Sequence, residues 1–138
     1  MKDSQPRSAC PISYTLDILG DRWSLLILRD MIFAGKSSYG EFLTSGEGIA
    51  TNILANRLAL LLSQGLITKT VAPQNKSKLI YNLTEKAITL LPLIMEITIW
   101  GSQNSPSGGN DQLLKALKKD RKGTIKEFSK MLRKRIVV

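Results

Sequence analysis

A mainly helical fold carrying one β-hairpin is the class this sequence predicts, and three observations predict it. Apolar residues recur at helical spacing over most of the chain, with Gly, Pro, Ser and Asp where helices would stop and start. Only two stretches, Leu66 to Val71 and Leu79 to Leu83, alternate as strands do and are rich in β-branched residues. The segment between them, residues 72–78, is polar and carries Lys76 and Lys78, so the pair reads as a hairpin with a basic tip.

The 138 residues, 43% of them apolar, suit one compact domain with enough chain to bury a core. The formal charge of +9 is unevenly spread. Through Gly101 ten Lys and Arg face eight Asp and Glu, whereas from Ser102 onward ten face three. Such a balance points to an anionic partner, nucleic acid before a membrane surface. The single cysteine, Cys10, excludes an internal disulfide framework and fits a reducing compartment. The polar start, Met1 to Pro6, lacks the apolar core of a secretory leader, and no apolar stretch reaches bilayer length. A cytoplasmic protein without membrane association is therefore expected. With no His, no clustered carboxylates and no glycine-rich phosphate loop, neither an enzyme nor a metal or other cofactor is expected.

Residues 1–9 read as a flexible arm. Cys10-Pro11 opens a first helix, because proline is favoured where a helix has no use for its N–H. Ile12, Leu16 and Leu19 give that helix an apolar face, and Gly20 ends it. Asp21 is placed to cap a second helix, Arg22 to about Phe33, which is apolar nearly all round and so central to the core. Ser38 and Glu41 have the spacing of a capping box for a two-turn helix through Thr44.

After the turn Ser45-Gly46-Glu47-Gly48 comes the stretch on which the reading turns, Gly48 to Leu62. At 100° per residue Leu54, Leu58 and Leu61 share one side, while Asn52, Ala55, Asn56 and Ala59 share the other. A solvated helix face usually carries Lys and Glu. Amides and small side chains instead suit a surface that must approach something closely, since Asn can pair with an adenine edge and Ala lets the backbone near the bases. Two short helices joined by a glycine-containing turn, the second with such a face, form a helix-turn-helix; the hairpin after Gly65 is then a wing. The expected fold is mainly α (α+β), a winged helix-turn-helix with a two-stranded wing and extra helices at both ends.

Thr84 is expected to cap a long helix to about Gly101, with Pro92 a kink or local irregularity. Residues 102–110 read as a linker and 111–138 as a basic helical extension, leaving 10–101 as the DNA-binding domain. In the extension Gly123 is expected to break one helix, and Thr124 and Glu127 to box the start of another, with Ile125, Phe128, Leu132 and Ile136 as its apolar stripe.

Cys10-Pro11-Ile12, Thr15 to Gly20 and Arg22-Trp23-Ser24-Leu25-Leu26-Ile27-Leu28-Arg29-Asp30 closely resemble the opening of the HxlR family of bacterial winged-helix transcriptional regulators. The resemblance continues through Tyr39 to Phe42, Gly48-Ile49, Leu54, Arg57-Leu58, Gly65 to Ile67 and Tyr81 to Thr84, and covers roughly residues 10–101. It implies a homodimer held by the terminal helices that binds promoter DNA as a repressor or activator, and such a dimer would read a palindromic site. This chain departs from the pattern where the family often has Ser-Pro-Lys and here has Ala50-Thr51-Asn52, at apolar Ala59, Leu60 and Leu62, and at Ser38 where a basic residue is usual. The reading surface is thus poorer in charge than is common in the family.

The residues expected to meet double-stranded DNA are Thr51, Asn52, Ala55 and Asn56 for bases, Lys76 and Lys78 for phosphate or the minor groove, and Lys36 and Ser37 for the backbone. Arg57 lies beside the core face, so an ion pair or a phosphate contact is expected there before base readout. Tyr14, Trp23 and Trp100 read as core or interface packing before an effector pocket. Cys10, at a helix N-cap, is a candidate thiol sensor of an oxidant, or else a packing residue. The competing function is a protein-interaction winged helix whose basic tail touches nucleic acid nonspecifically.

Overall fold

The structure is a computed structural model that describes residues 8–109 and 111–136. The first seven residues of the expected arm lie outside the described residues, as do Asn110, Val137 and Val138. The chain divides into two compact units, residues 1–84 and 85–138, where composition suggested one.

The first unit contains α1 (Pro11–Leu19), α2 (Arg22–Phe33), α3 (Tyr39–Phe42), α4 (Thr51–Ser63), β1 (Ile67–Ala72) and β2 (Asn75–Leu83). Asp21 caps α2 as expected, accepting from the backbone N–H of Trp23 and Ser24 at 2.9 Å each. The capping box at Ser38 and Glu41 is complete, but α3 is only one turn long and ends two residues before the expected Thr44. It is held from outside: Phe42 is buried with its ring tilted 59° to that of Tyr81 of β2, centroids 6.2 Å apart, and the Tyr81 N–H donates to the Ser37 carbonyl at 2.7 Å. The core is built from Ile27, Leu28, Met31 and Ile32 of α2, Leu54, Leu58 and Leu61 of α4, and Leu66 and Ile67 before and in the wing. α4 packs on α2 and on β1.

The expected face of α1 is only partly buried. Leu19 and Ile18 are inside, whereas Ile12 is 71% exposed and Tyr14 and Leu16 are also open. Helical periodicity identifies an apolar face but not what covers it.

The end of α4 follows from one residue. Gly65 has φ +73°, its N–H donates to the Leu62 carbonyl, and the Leu66 N–H reaches back to Leu61 at 3.0 Å. This paired closure needs the left-handed conformation that glycine adopts without steric cost. The chain thereby reverses into β1.

The wing differs from its expected boundaries. β1 and β2 are antiparallel with Ile67 opposite Leu83 and Val71 opposite Leu79, but Ala72 faces Asn75, so residues 76–78 bulge from the ladder. The turn is Pro73-Gln74 alone, and Lys76 and Lys78 belong to β2 instead of a loop. Asn75 Oδ1 accepts from the Ser77 N–H and hydroxyl at 3.1 and 2.6 Å, which holds the bulge.

The second unit contains α5 (Glu85–Ile88), α6 (Leu91–Asn104), α7 (Asp111–Lys119) and α8 (Arg121–Arg133). The single helix expected from Thr84 to Gly101 is two, with Pro92 in the first turn of α6 where its missing N–H is tolerated. The Thr84 hydroxyl donates to the Gly65 carbonyl at 2.6 Å. α6 runs through Asn104, so the first three residues of the expected linker are helical. Gly123 does not break a helix: it lies in the first turn of α8, and Asp120 is the cap, accepting from the Gly123 N–H at 3.0 Å. α8 therefore starts three residues before the Thr124 box that the spacing suggested. Its stripe is inward, with Leu132 buried and Ile125, Phe128 and Ile136 half-buried, and it packs against α5, α6 and α7.

Candidate nucleic-acid interface

The outer face of α4 is arranged as its sequence suggested. Thr51, Asn52, Ala55, Asn56 and Ala59 are all exposed, and Leu54, Leu58 and Leu61 are all buried. The face carries no acidic side chain, and its amides and methyls stand clear of the core. Two of its polar groups are already engaged: the Thr51 carbonyl accepts from the Tyr39 hydroxyl at 2.7 Å, and Asn56 Oδ1 accepts from Arg57 Nε at 3.1 Å and from its Nη2. The Asn56 Oδ1 is thereby held by the neighbouring guanidinium.

Arg57 is half-buried, and its Nη1 stands 3.3 Å from Asp21 Oδ1. Burial pushes the Asp21 carboxyl up, but hydrogen bonds from the Ser24 hydroxyl and the backbone of Ser24 and Trp23, with the Arg57 charge, hold it below its ordinary range. One carboxylate thus caps α2 and anchors the middle of α4. Of the roles expected for Arg57, this geometry is the ion pair.

A second anchor was not legible in the sequence. Arg29 of α2 meets Glu47 with two parallel hydrogen bonds, Nη1 to Oε2 at 2.6 Å and Nη2 to Oε1 at 2.8 Å, and also donates to Asp30 Oδ1 and Ser45 Oγ. The Ser45 hydroxyl donates to Glu47 at 2.6 Å. The Arg29 hydrogen bonds hold the Glu47 carboxyl far below its ordinary 4.5, and those of Glu47 hold the Arg29 guanidinium charged. The fork fixes the turn that leads through Gly48, φ +71°, into the unboxed start of α4. Only opposite charges eighteen residues apart could have signalled it, and no local periodicity links them.

Lys36 belongs to the same cluster, its Nζ 3.5 Å from Asp30 Oδ2 and its side chain largely covered. Ser37 contributes its backbone: the N–H donates to Glu41 at 3.0 Å, the first cause of the lowered Glu41 carboxyl pKa. Lys76 and Lys78 are both exposed on β2. An open groove of about 580 Å³ runs between Tyr39 and Gly40 of α3 and Ser77, Lys78 and Leu79 of the wing.

Cys10 is exposed at the N-cap of α1, its carbonyl accepting from the Tyr14 N–H at 3.0 Å. Trp23 carries the Arg22 guanidinium 5.2 Å above its ring, and Trp100 of α6 is 68% exposed, so neither Tyr14 nor Trp100 is a core residue within the chain. Among the described residues no cluster of three or more metal-ligating side chains occurs, and no helix is long and apolar enough to cross a membrane.

A helix-turn-helix whose second helix bares a polar face, followed at once by a two-stranded wing, defines the winged helix-turn-helix class. Residues 18–108 match the HxlR-like helix-turn-helix family, and the chain belongs to that family of transcriptional regulators. It is 32% identical over 98 residues to YybR of Bacillus subtilis (strain 168), named an uncharacterized HTH-type transcriptional regulator, covering 71% of this chain and 78% of that one. The crystal structure of PA1607 superposes with a TM-score of 0.68 at 38% identity, covering 78% of this chain and 75% of the other. The redox regulator HypR in its reduced form gives 0.63 at 30% identity, covering 71% and 96%.

Proposed function

We propose that this regulator binds palindromic promoter DNA as a homodimer, reading bases with Thr51, Asn52, Ala55 and Asn56 and touching phosphates with Lys76, Lys78, Lys36 and Ser37. One observation carries the reading: a row of exposed amides and methyls on a helix anchored through Asp21, Glu47 and Tyr39. A face meant only for solvent would not need three anchors. Dimerisation is supported by the apolar residues each unit leaves open, Ile12, Tyr14 and Leu16 on α1 and Leu93, Ile97 and Trp100 on α6. The protein acts in the cytoplasm as a non-enzymatic repressor or activator.

Selection from random duplexes tests this. The wild type should enrich a two-fold symmetric site with half-sites about 34–36 Å apart, one turn of DNA. Asn52→Ala should lose about 10- to 100-fold at that site, the worth of a bidentate base contact, and Asn56→Ala, whose Oδ1 is held by Arg57, a smaller factor; neither should lose affinity for random duplex. Wild-type preference retained in both variants would refute the assignment of α4.

A thiol response is the second reading, favoured by the exposure of Cys10 and by the similarity to HypR, a redox regulator. Cys10→Ser should bind like the wild type when reduced and lose any response to peroxide. Equal responses in the two proteins would leave Cys10 without a sensing role.

A further inference from the structure

We propose that α8 carries a second surface for duplex DNA, a lysine ridge that grips phosphates and reads no sequence. It rests on the reading of the chain as a DNA-binding regulator, and it lies outside the residues matched by the family, 18–108.

Lys122, Lys126, Lys130 and Lys134 recur every fourth residue along α8 and its C-cap, and all four are exposed. At 1.5 Å per residue they stand about 6 Å apart along the axis and span about 18 Å. Each advances about 40° from the last, so they form one gently winding row on the side away from Ile125, Phe128 and Leu132. None of the four has an ion-pair partner among the described residues.

The arginines of the helix are used differently. Arg121 pairs with Glu96 at 2.6 Å and Arg133 with Glu85 at 2.7 Å, which ties α8 to α6 and α5 at both ends. Asp120 is occupied as the N-cap. The helix is therefore held in place while its lysines are left uncompensated. Like charges four residues apart destabilise a helix, and a face selected for solubility would alternate them with glutamates. Glu127 is the lone acidic residue within α8; it borders the row at its C-terminal end, three residues before Lys130 and about 20° around the axis from Lys134, so four lysines face one carboxylate.

This arrangement fits a polyanion whose charges repeat along a line, and duplex DNA is that partner. An anionic bilayer fits less well, because a membrane-surface helix needs a free apolar face and that of α8 is covered by α5, α6 and α7.

The full-length protein with Lys122→Ala, Lys126→Ala and Lys130→Ala together, titrated with a random-sequence duplex between 50 and 200 mM salt, tests the ridge. Removing three phosphate contacts should lower the slope of log affinity on log salt by about 2.7 and shrink the fall in affinity over that range about 40-fold. Arginine at the same three positions should restore the slope, which a purely structural role would not predict. The sequence enriched by selection should not change. An unchanged slope in a variant shown folded by circular dichroism overturns the proposal. So does wild-type protein that sediments with phosphatidylserine vesicles but ignores random duplex. Failure of α4 to read bases would appear separately, as a wild type that enriches no sequence while its salt slope still depends on the three lysines.

Discussion

Two helices of thirteen residues, α4 and α8, solve the same packing problem and present opposite chemistry. Each buries a leucine completely or nearly so, Leu54 in one and Leu132 in the other, and each is pinned to its neighbours by arginine–carboxylate pairs. The outer face of α4 carries no charge: the one cation on the helix, Arg57, turns to Asp21 and Asn56. The outer face of α8 carries a row of lysines and a single acid. The difference separates two physical tasks. Hydrogen bonding to base edges is short-ranged and directional, so it needs small side chains on a rigidly placed backbone. Attraction to phosphate is long-ranged and tolerant of geometry, so flexible ammonium groups suffice.

Core truncation should break this comparison most sharply. Leu54→Ala and Leu132→Ala should each cost about 2–5 kcal/mol in denaturant unfolding. Their functional effects should diverge, the first abolishing sequence preference and the second reducing binding to every duplex alike. If Leu132→Ala changed the preferred sequence, α8 would share in base reading and the contrast would fail.

Glu47→Gln sharpens the comparison at the anchor. The variant keeps the shape of the fork but removes its charge, and because the pair is partly exposed the loss should be about 1 kcal/mol at pH 7. Glu47 is more acidic folded than unfolded, so its contribution is complete above its ordinary value near 4.5, shrinks as pH falls below that, and is lost only where the folded-state carboxyl itself protonates. The gap in Tm between wild type and variant should therefore be constant from pH 7 to about 5.5 and narrow steadily below about pH 4.5. A gap independent of pH would mean that the charge of Glu47 does not hold the turn.

The smallest effect is expected at the wing. Lys76→Ala with Lys78→Ala should reduce the salt slope by about 1.8 and leave the enriched sequence unchanged, as two phosphate contacts would. A variant with altered preference at the flanks of its site would instead place the wing in a groove.

By itself the sequence determined the order of helices and hairpin, the cap at Asp21, the box at Ser38 and Glu41, the stop at Gly65 and the polar face of α4, because each is written in residues within a turn or two of one another. The same local reading misplaced the start of α8, since Gly123 resembles a breaker and only the Asp120 cap shows that it is a tolerated first-turn residue. It left Lys76 and Lys78 in a loop, because a bulge depends on strand register and register is set across the sheet. Tertiary structure alone decided that Arg29 and Glu47 would meet, that Asp21 would serve both α2 and α4, and that Tyr39 would hold the first turn of the reading helix. Those contacts join residues 12 to 36 positions apart, and only the packing of helix on helix brings such partners within hydrogen-bond reach.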